Sequence, residues 1–456
     1  MPGSFYGISL ASRALRAFQS ALDVTGHNVA NASTTGYTRQ IADLSGAYGV
    51  RVNGLQSFIL GGGVDVASVN RSRDVFLAMR MQSTQSEISR SDAMLSTLKQ
   101  IEGVMNEPGA NGIGSALDKF FDSWSALAAN PGEASLKMQV QTAASTLASR
   151  IRSVYREVSG QASQANEQVT TTFDRIDQLT SSIANLNSQI RQGSANGAKP
   201  NDLMDQRDQM VNELSSLMNV QTSENSDGTV QVMLSGYALV DYSGSRPIPR
   251  TFDANAQTVT DPATNLSLPV TGGRLAGQFQ AIVRAGSMQS DLDKLATTIR
   301  DQVNALHVTG TNQYGTTDLD FFGGTGAGDF DLSNFIKNDA GAIATGTSGR
   351  PGDGGLALAL AGLRDTKVAG LGNLSMKQFY GGVVSGIGND IATQQTNLET
   401  HQAVAEQITG QIEAVSGVNL DDEMANMLRF QRSYQAAAKT LSIFDQVTED
   451  LIGLIR

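Results

Sequence analysis

No cysteine occurs among the 456 residues, which removes at once a disulfide framework, a thiolate metal site and a thiol nucleophile. Histidine is scarce as well. His27, His307 and His401 lie far apart and outside any His-x-x-x-His or His-Glu-x-x-His spacing, so no zinc or acid-base pair is on offer. Phosphate loops, nucleophile elbows and dinucleotide fingerprints are missing too, and we expect neither an enzyme nor a bound cofactor. Charged residues make up only 17%, against about 25% in an ordinary domain, and Ser, Thr, Asn and Gln carry the polar surface instead. The net charge of -11 argues against a general affinity for nucleic acid or an anionic membrane. The longest apolar run, about six residues near Leu356, falls far short of the roughly 20 that a membrane helix requires. Met1 to Leu22 lacks the basic stretch and long apolar run of a cleaved secretory signal, so an exported chain would use another route.

What the chain does have is two apolar stripes at its ends. Ile8, Ala11, Leu15, Phe18, Leu22, Thr25 and Val29 alternate steps of three and four and share one helical face. At the other end Leu420, Met424, Met427, Tyr434, Leu441, Phe444, Val447, Leu451, Leu454 and Ile455 do the same. Termini fray unless tied down, and an isolated pair of such helices is marginal. Copies packed side by side would give every face of each stripe a neighbour, so we expect the ends to order on assembly.

Between the ends the pattern is nested. Asn28 to Gln40, NVANASTTGYTRQ, is a turn, and short β-type runs at Ile41 to Leu44, Val50 to Val52 and Gly62 to Val69 follow it. Helical periods then run over 74–106, 113–127, 133–191 and 202–217, the third long enough to be coiled-coil-like. Lone Trp124, beside Phe120, Phe121 and Leu127, reads as core. From Val220 to Gly277 alternating runs broken by Pro247, Pro249, Pro262 and Pro269 describe a small antiparallel β-domain, after which helix resumes at Gln278. A Gly- and Asp-rich stretch over 310–355 reads as loops with short strands, and helices from Met376 to Val415 and from Asn419 onward complete the chain.

The expected fold class is therefore mainly α with a β insertion: terminal helices paired as a coiled coil, an elongated helical shaft domain, and a small antiparallel β-domain mid-chain. In domains this gives 1–45 with 417–456, then 46–219 with 278–309 and 356–416, then 220–277 and 310–355.

Three clusters invite a chemical reading. Asp318, Asp320, Gly323 and Asp329 imitate part of a calcium loop, but Phe322 occupies a ligand position and Asp329 replaces the bidentate glutamate, so a turn-rich loop explains them better. Asp421, Asp422 and Glu423 open a helix, where acidic residues complement its dipole. The arginines from Arg71 to Arg90 are expected on a solvated or intersubunit face.

The N-terminal GISLASRALRAFQSALDVTGHNVANASTTGYTRQ and the C-terminal GVNLDDEMANMLRFQRSYQAAAKTLSIFDQVTEDLIGLI resemble the ends of the bacterial flagellar axial proteins, rod and hook subunits included. SALDKFFDSWSALAANPGEASLKMQV and LMDQRDQMVNELSSL narrow the likeness to the hook-associated proteins of the hook-filament junction. The family turn usually reads Asn-Thr-Pro-Gly-Tyr, whereas Ser33, Thr34, Thr35, Gly36 and Tyr37 stand here. The resemblance implies a structural adaptor of the flagellum, cytoplasmic until it is exported by the flagellar type III apparatus and then extracellular. Its implied partners are further copies of itself, the hook protein, the second hook-filament junction protein, and an export chaperone on the C-terminal helix. Assembly would rest on Ile8, Leu15, Phe18 and Leu22, on Asn28, Asn31, Gly36 and Tyr37 of the turn, and on Met424, Gln431, Tyr434, Leu441, Phe444, Leu451 and Ile455. A hook or rod subunit of the same family, or a secreted coiled-coil adhesin or effector, is the alternative.

Overall fold

Helix dominates, as the periodicity predicts. The computed structural model describes residues 3–52, 58–195, 197, 199–350 and 352–453, so the expected interface residue Ile455, with Leu454, lies outside the described residues. In chain order the elements are α1 (Gly3–Ala30), β1 (Gln40–Gly46), β2 (Val50–Val52), β3 (Phe58–Leu60), β4 (Val64–Arg71), α2 (Val75–Met105), α3 (Ile113–Ala129), α4 (Ala134–Ser194) and α5 (Asn201–Leu217). Seven short strands follow: β5 (Gln221–Glu224), β6 (Val230–Leu234), β7 (Tyr237–Asp241), β8 (Gly244–Ser245), β9 (Thr251–Asp253), β10 (Thr258–Thr260) and β11 (Ser267–Pro269). The remainder is α6 (Gly273–His307), β12 (Phe322–Gly323), β13 (Asp331–Leu332), α7 (Asn334–Asn338), α8 (Gly355–Gly362), α9 (Met376–Ser416) and α10 (Leu420–Gly453). The expected class holds: mainly α, with paired terminal helices and small antiparallel sheets mid-chain.

Two compact units divide the chain, and the division falls inside α2, α4 and α9. The first comprises Met1–Ser86, Asp174–Ile248 and His401–Arg456. Its sheet runs β5-β6-β7-β8, and β6 alternates buried Val230, Val232 and Leu234 with half-buried Gln231 and Met233, the period of a strand with one face on a core. Ile176, Ile183 and Ile190 from α4 and Val211 and Leu214 from α5 supply further buried side chains. β1 pairs antiparallel with β4 across a bulge at Asp43 and Leu44, and β2 pairs with β3.

The second unit comprises Glu87–Phe173 and Pro249–Thr400. The expected β segment 220–277 is thus two separate sheets, with β9, β10 and β11 forming one inside this unit. Trp124 is fully buried, in edge and tilted contact with Phe120 and Phe321. Phe321, Phe322 and Phe330 come from the Gly- and Asp-rich stretch, whose turns are pinned to the core by these rings. α8 escaped the sequence reading because Leu356 to Ala361 alternates Leu with Ala and shows no helical period; Leu356, Ala357 and Leu360 are buried while Leu358 faces outward.

His307 is 1% exposed in this core. Its Nδ1 donates to the Leu319 carbonyl at 2.6 Å, and its Nε2 accepts from the Ala344 amide at 3.1 Å, so the neutral ring satisfies two backbone groups. Burial holds its pKa below the ordinary 6.5. The unfolded chain therefore binds a proton at pH values where the folded ring stays neutral, and the stability is present at neutral pH and is lost as pH falls below about 6.5. Thermal unfolding of the second unit followed from pH 7.5 to 5.5 is expected to show this acid loss. His307→Leu should remove that part of the slope while destabilising the unit by about 1–3 kcal/mol through the orphaned backbone partners.

Candidate functional site

The paired termini are built on small residues. Gly7, Ala11, Ala17, Ala21, Thr25 and Asn28 are the buried positions of α1, whereas Ile8, Leu15, Phe18 and Leu22 are each half-buried. α10 lies against this face and also shares α1 with the β1-β4 ribbon. Gly7 lets the Phe444 ring come so close that a Cβ there would stand 2.5 Å from its edge. Tyr434, Leu441, Phe444 and Leu451 are half-buried along α10, and Ala437 is buried. Met424 and Gln431, both expected at the interface, are exposed on a single copy.

At the far end of the pair the packing turns polar. Asn28 is 1% exposed and uses its whole amide. Its Nδ2 donates to the Gln40 carbonyl at 2.8 Å and to Glu423 Oε2 at 3.1 Å, and its Oδ1 accepts from the Gln40 amide at 2.9 Å and the Tyr37 hydroxyl at 2.7 Å. Since the Tyr37 proton goes to Asn28, the phenol oxygen accepts from His27 Nδ1 at 3.0 Å, which fixes the His27 tautomer. Burial first, and then the carboxylates of Asp202, Asp205 and Glu423, push the Tyr37 hydroxyl well above the ordinary phenol range and keep it a donor.

Glu423 is 2% exposed, and its Oε1 takes the Arg39 guanidinium at 2.7 Å. This corrects one expectation: Asp421 and Asp422 are exposed in the first turn of α10, but Glu423 points inward and serves the turn rather than the helix dipole. The arginine expectation is corrected in the same way. Arg71 is buried, its Nη1 on Asp205 at 2.9 Å and Asp208 at 2.7 Å, and Arg73 reaches Asp208 at 3.1 Å. Burial works against the Arg71 charge, but Asp208 and Asp205 outweigh it and raise its pKa.

The turn itself is seated on α5. Asn31 Nδ2 donates back to the His27 carbonyl at 3.0 Å and ends α1. Gly36 has φ 76°, a left-handed conformation, and Gln209 fills the space where a Cβ would stand while donating to the Thr35 carbonyl at 2.6 Å. The Thr38 amide donates to Asp205 at 3.0 Å, and Gln40 exchanges bonds with Asp202 and Asn201. Sequence reasoning found Asn28, Asn31, Gly36 and Tyr37 but missed Arg39, Gln40, Asp205 and Glu423. The signal available was Arg39, the single charged residue of the Asn28 to Gln40 turn.

Other sequence candidates disperse. The Asp329 carboxylate accepts from the Thr325 and Gly326 amides and closes its own turn, and among the described residues no group of three or more His, Cys, Asp or Glu is placed to hold a metal ion. No helix among them is long and apolar enough to cross a membrane.

Removing Arg39 should leave Glu423 buried without its cation. Arg39→Met is expected to destabilise the first unit by about 3–5 kcal/mol in chemical denaturation. Glu423→Gln, which still offers an acceptor to Arg39, should be milder.

Comparison with known proteins assigns these segments. Residues 98–322 match the family described as flagellar hook-associated protein FlgK helical domain. Residues 8–38, within α1 and its turn, match the flagella basal body rod protein family, and residues 410–454 match the C-terminal family of the flagellar basal body rod FlgEFG proteins. Flagellar hook-associated protein 1 of Bacillus subtilis is 29% identical, the alignment covering 99% of each chain. The protein of the same name from Salmonella typhimurium is 26% identical over 98% of this chain and 99% of its own. The solved structure of the flagellar hook junction protein FlgK from Burkholderia pseudomallei shares the fold, with a TM-score of 0.65 at 18% identity, covering 74% of this chain and 100% of that one. With its two ends matched to rod families, its helical block to the hook-associated domain, and near-complete coverage by these relatives, the chain is similar along nearly its whole length to flagellar hook-associated protein 1.

Proposed function

We propose that this chain is a structural subunit of the flagellum that joins hook to filament by assembling copies of itself through its terminal helices. One observation carries the proposal: of the 34 residues of α10 only Glu423 and Ala437 are buried, while Leu420, Met424, Leu428, Ile443, Val447 and Ile452 are 44–59% exposed. A helix with that much apolar surface outside its own fold is built for a neighbour. Head-to-tail contacts of one kind repeated by rotation generate a ring or helical tube, the geometry a junction between two tubular structures requires. In this reading residues 1–45 with 417–456 form the wall of the tube. Ile8, Leu15, Phe18 and Leu22 and the flanks of α10 make the contacts, and the turn from Asn28 to Gln40 fixes their level.

The same exposed face gives a reason for an export chaperone on the C-terminal helix, which would cover it in the cytoplasm until type III export. The hook protein on one side and the second junction protein on the other are the partners this position demands.

The test separates folding from assembly. Ile443 is 52% exposed, so Ile443→Asp should leave the α1-α10 pair intact. We expect the variant to be made and secreted but to leave hooks bare of filaments in electron micrographs, with motility lost. Leu441→Asp, which also touches the pair, should show the same loss with reduced helix content. Normal filament attachment in Ile443→Asp would sink the proposal.

A further inference from the structure

The charges on the terminal pair are arranged in bands. Along α10, Asp421 and Asp422 stand at the start, Arg429, Arg432 and Lys439 in the middle, and Asp445, Glu449 and Asp450 at the end, all exposed. Gly7 lies on Phe444 and Asn28 on Glu423, so the helices are antiparallel in one register, and Arg13 and Arg16 of α1 fall opposite Ala438 and Gln435. The single pair therefore has a cationic belt of five residues between two acidic ends, with exposed Asp23 of α1 at the level of Leu428 on the edge of the belt. Among the described residues, no ion pair joins Arg16, Arg429, Arg432 or Lys439 to a carboxylate, and none joins Asp421, Asp422, Asp445, Glu449 or Asp450 to a cation. Arg13 has only a distant partner, Asp65 at 3.9 Å.

Two features make this pattern costly in a lone molecule. Like charges on α1 and α10 face each other at the same level, and three carboxylates occupy the last turns of α10, where the helix dipole already presents its negative end. Both are relieved if a cationic belt meets an acidic end. Within one copy the antiparallel register forbids it.

We propose that the outward apolar face of α10 is covered by the terminal pair of a second copy, displaced along the helix axis so that the belt of each copy lies against an acidic end of its neighbour. At about 1.5 Å per residue the belt centre is roughly 20 Å from either acidic end, so the axial offset between adjacent copies is about 20 Å. The apolar residues Leu428, Ile443 and Val447 provide the attraction, and the charge bands choose the register: in-register packing would set belt against belt and is repelled. This rests on the proposed self-assembly and adds the stagger and the charges that specify it.

Charge reversal in the full-length chain tests the register. Glu449→Lys with Asp450→Lys inverts one acidic end, and Arg432→Glu with Lys439→Glu cancels most of the charge of the belt. Each pair should reduce attachment of purified protein to isolated hooks about tenfold or more at low salt, with helix content by circular dichroism unchanged. The two pairs act on the same contact, so combining them should cost clearly less than the sum of the two separate losses. Wild-type attachment should also weaken as salt rises. If wild type attaches but either pair is harmless, or the losses of the two pairs simply add in the fourfold variant, the staggered register is wrong. If wild type itself fails to attach, the proposed function fails first.

Discussion

One carboxylate ties the two ends of the chain together across 395 residues. Taking an ion such as Glu423 out of water costs several kcal/mol, and the fold recovers that only because both oxygens are occupied, one by Arg39 and the other by Asn28. Neither partner is free to move. Asn28 is also bonded to both backbone groups of Gln40 and to Tyr37, while the Arg39 amide donates to the Ser416 carbonyl just before α10 begins. The phase of α10 about its own axis and its level against α1 are thus set at one end by polar geometry. The apolar register of Gly7 under Phe444, about six turns away, follows from it.

That register explains why the pair leaves so much surface uncovered. Gly7, Ala11 and Ala21 permit a close approach, and a close approach is made by few side-chain atoms. The large residues of both helices are pushed to the flanks, where Ile8, Leu15 and Leu22 are partly covered and Ile443, Val447 and Ile452 remain 44–57% exposed. A pair that buried its bulky residues internally would be more stable alone and would have less to offer a neighbour. The marginal stability expected of the ends and their capacity to assemble have the same cause.

The helical block was legible because its period is unbroken: α2, α3, α4 and α5 begin and end within about three residues of where the apolar spacing and the Pro-Gly breaks put them. What the sequence hid was direction. In the N-terminal stripe Ala11 and Thr25 are buried as the spacing predicts, but its large members Ile8, Phe18 and Leu22 are only half-buried, and the buried positions beside them lie one residue earlier, at Gly7, Ala17 and Ala21, where the side chains are small. Glu423 obeyed the first-turn rule as well as Asp421 and Asp422 did, and nothing local marks which of three adjacent carboxylates meets an arginine nearly four hundred positions away. Arg71 and Arg73 were misplaced for the same reason, since their partners Asp205 and Asp208 sit on a helix that only the fold brings near. α6 begins at Gly273 rather than Gln278 because the strands end at Pro269, which periodicity alone does not show.

The two units differ in how complete they are on their own. In the second, Phe120, Trp124, Phe321, Phe322 and Phe330 fill one continuous core, and even the buried His307 has both nitrogens satisfied. The core of this unit is closed within its own fold. In the first, the sheet and α5 are well buried but the terminal helices are not, so the deficit is concentrated in α1 and α10. A subunit that must remain soluble before it is placed, and then be held permanently, benefits from that division: the self-sufficient part folds regardless of concentration, whereas the terminal pair gains its missing contacts only where neighbours are already in position. In the proposed assembly, growth at an existing end would then be favoured over collisions in solution, because a second neighbour would cover the flank of α10 that the first leaves open.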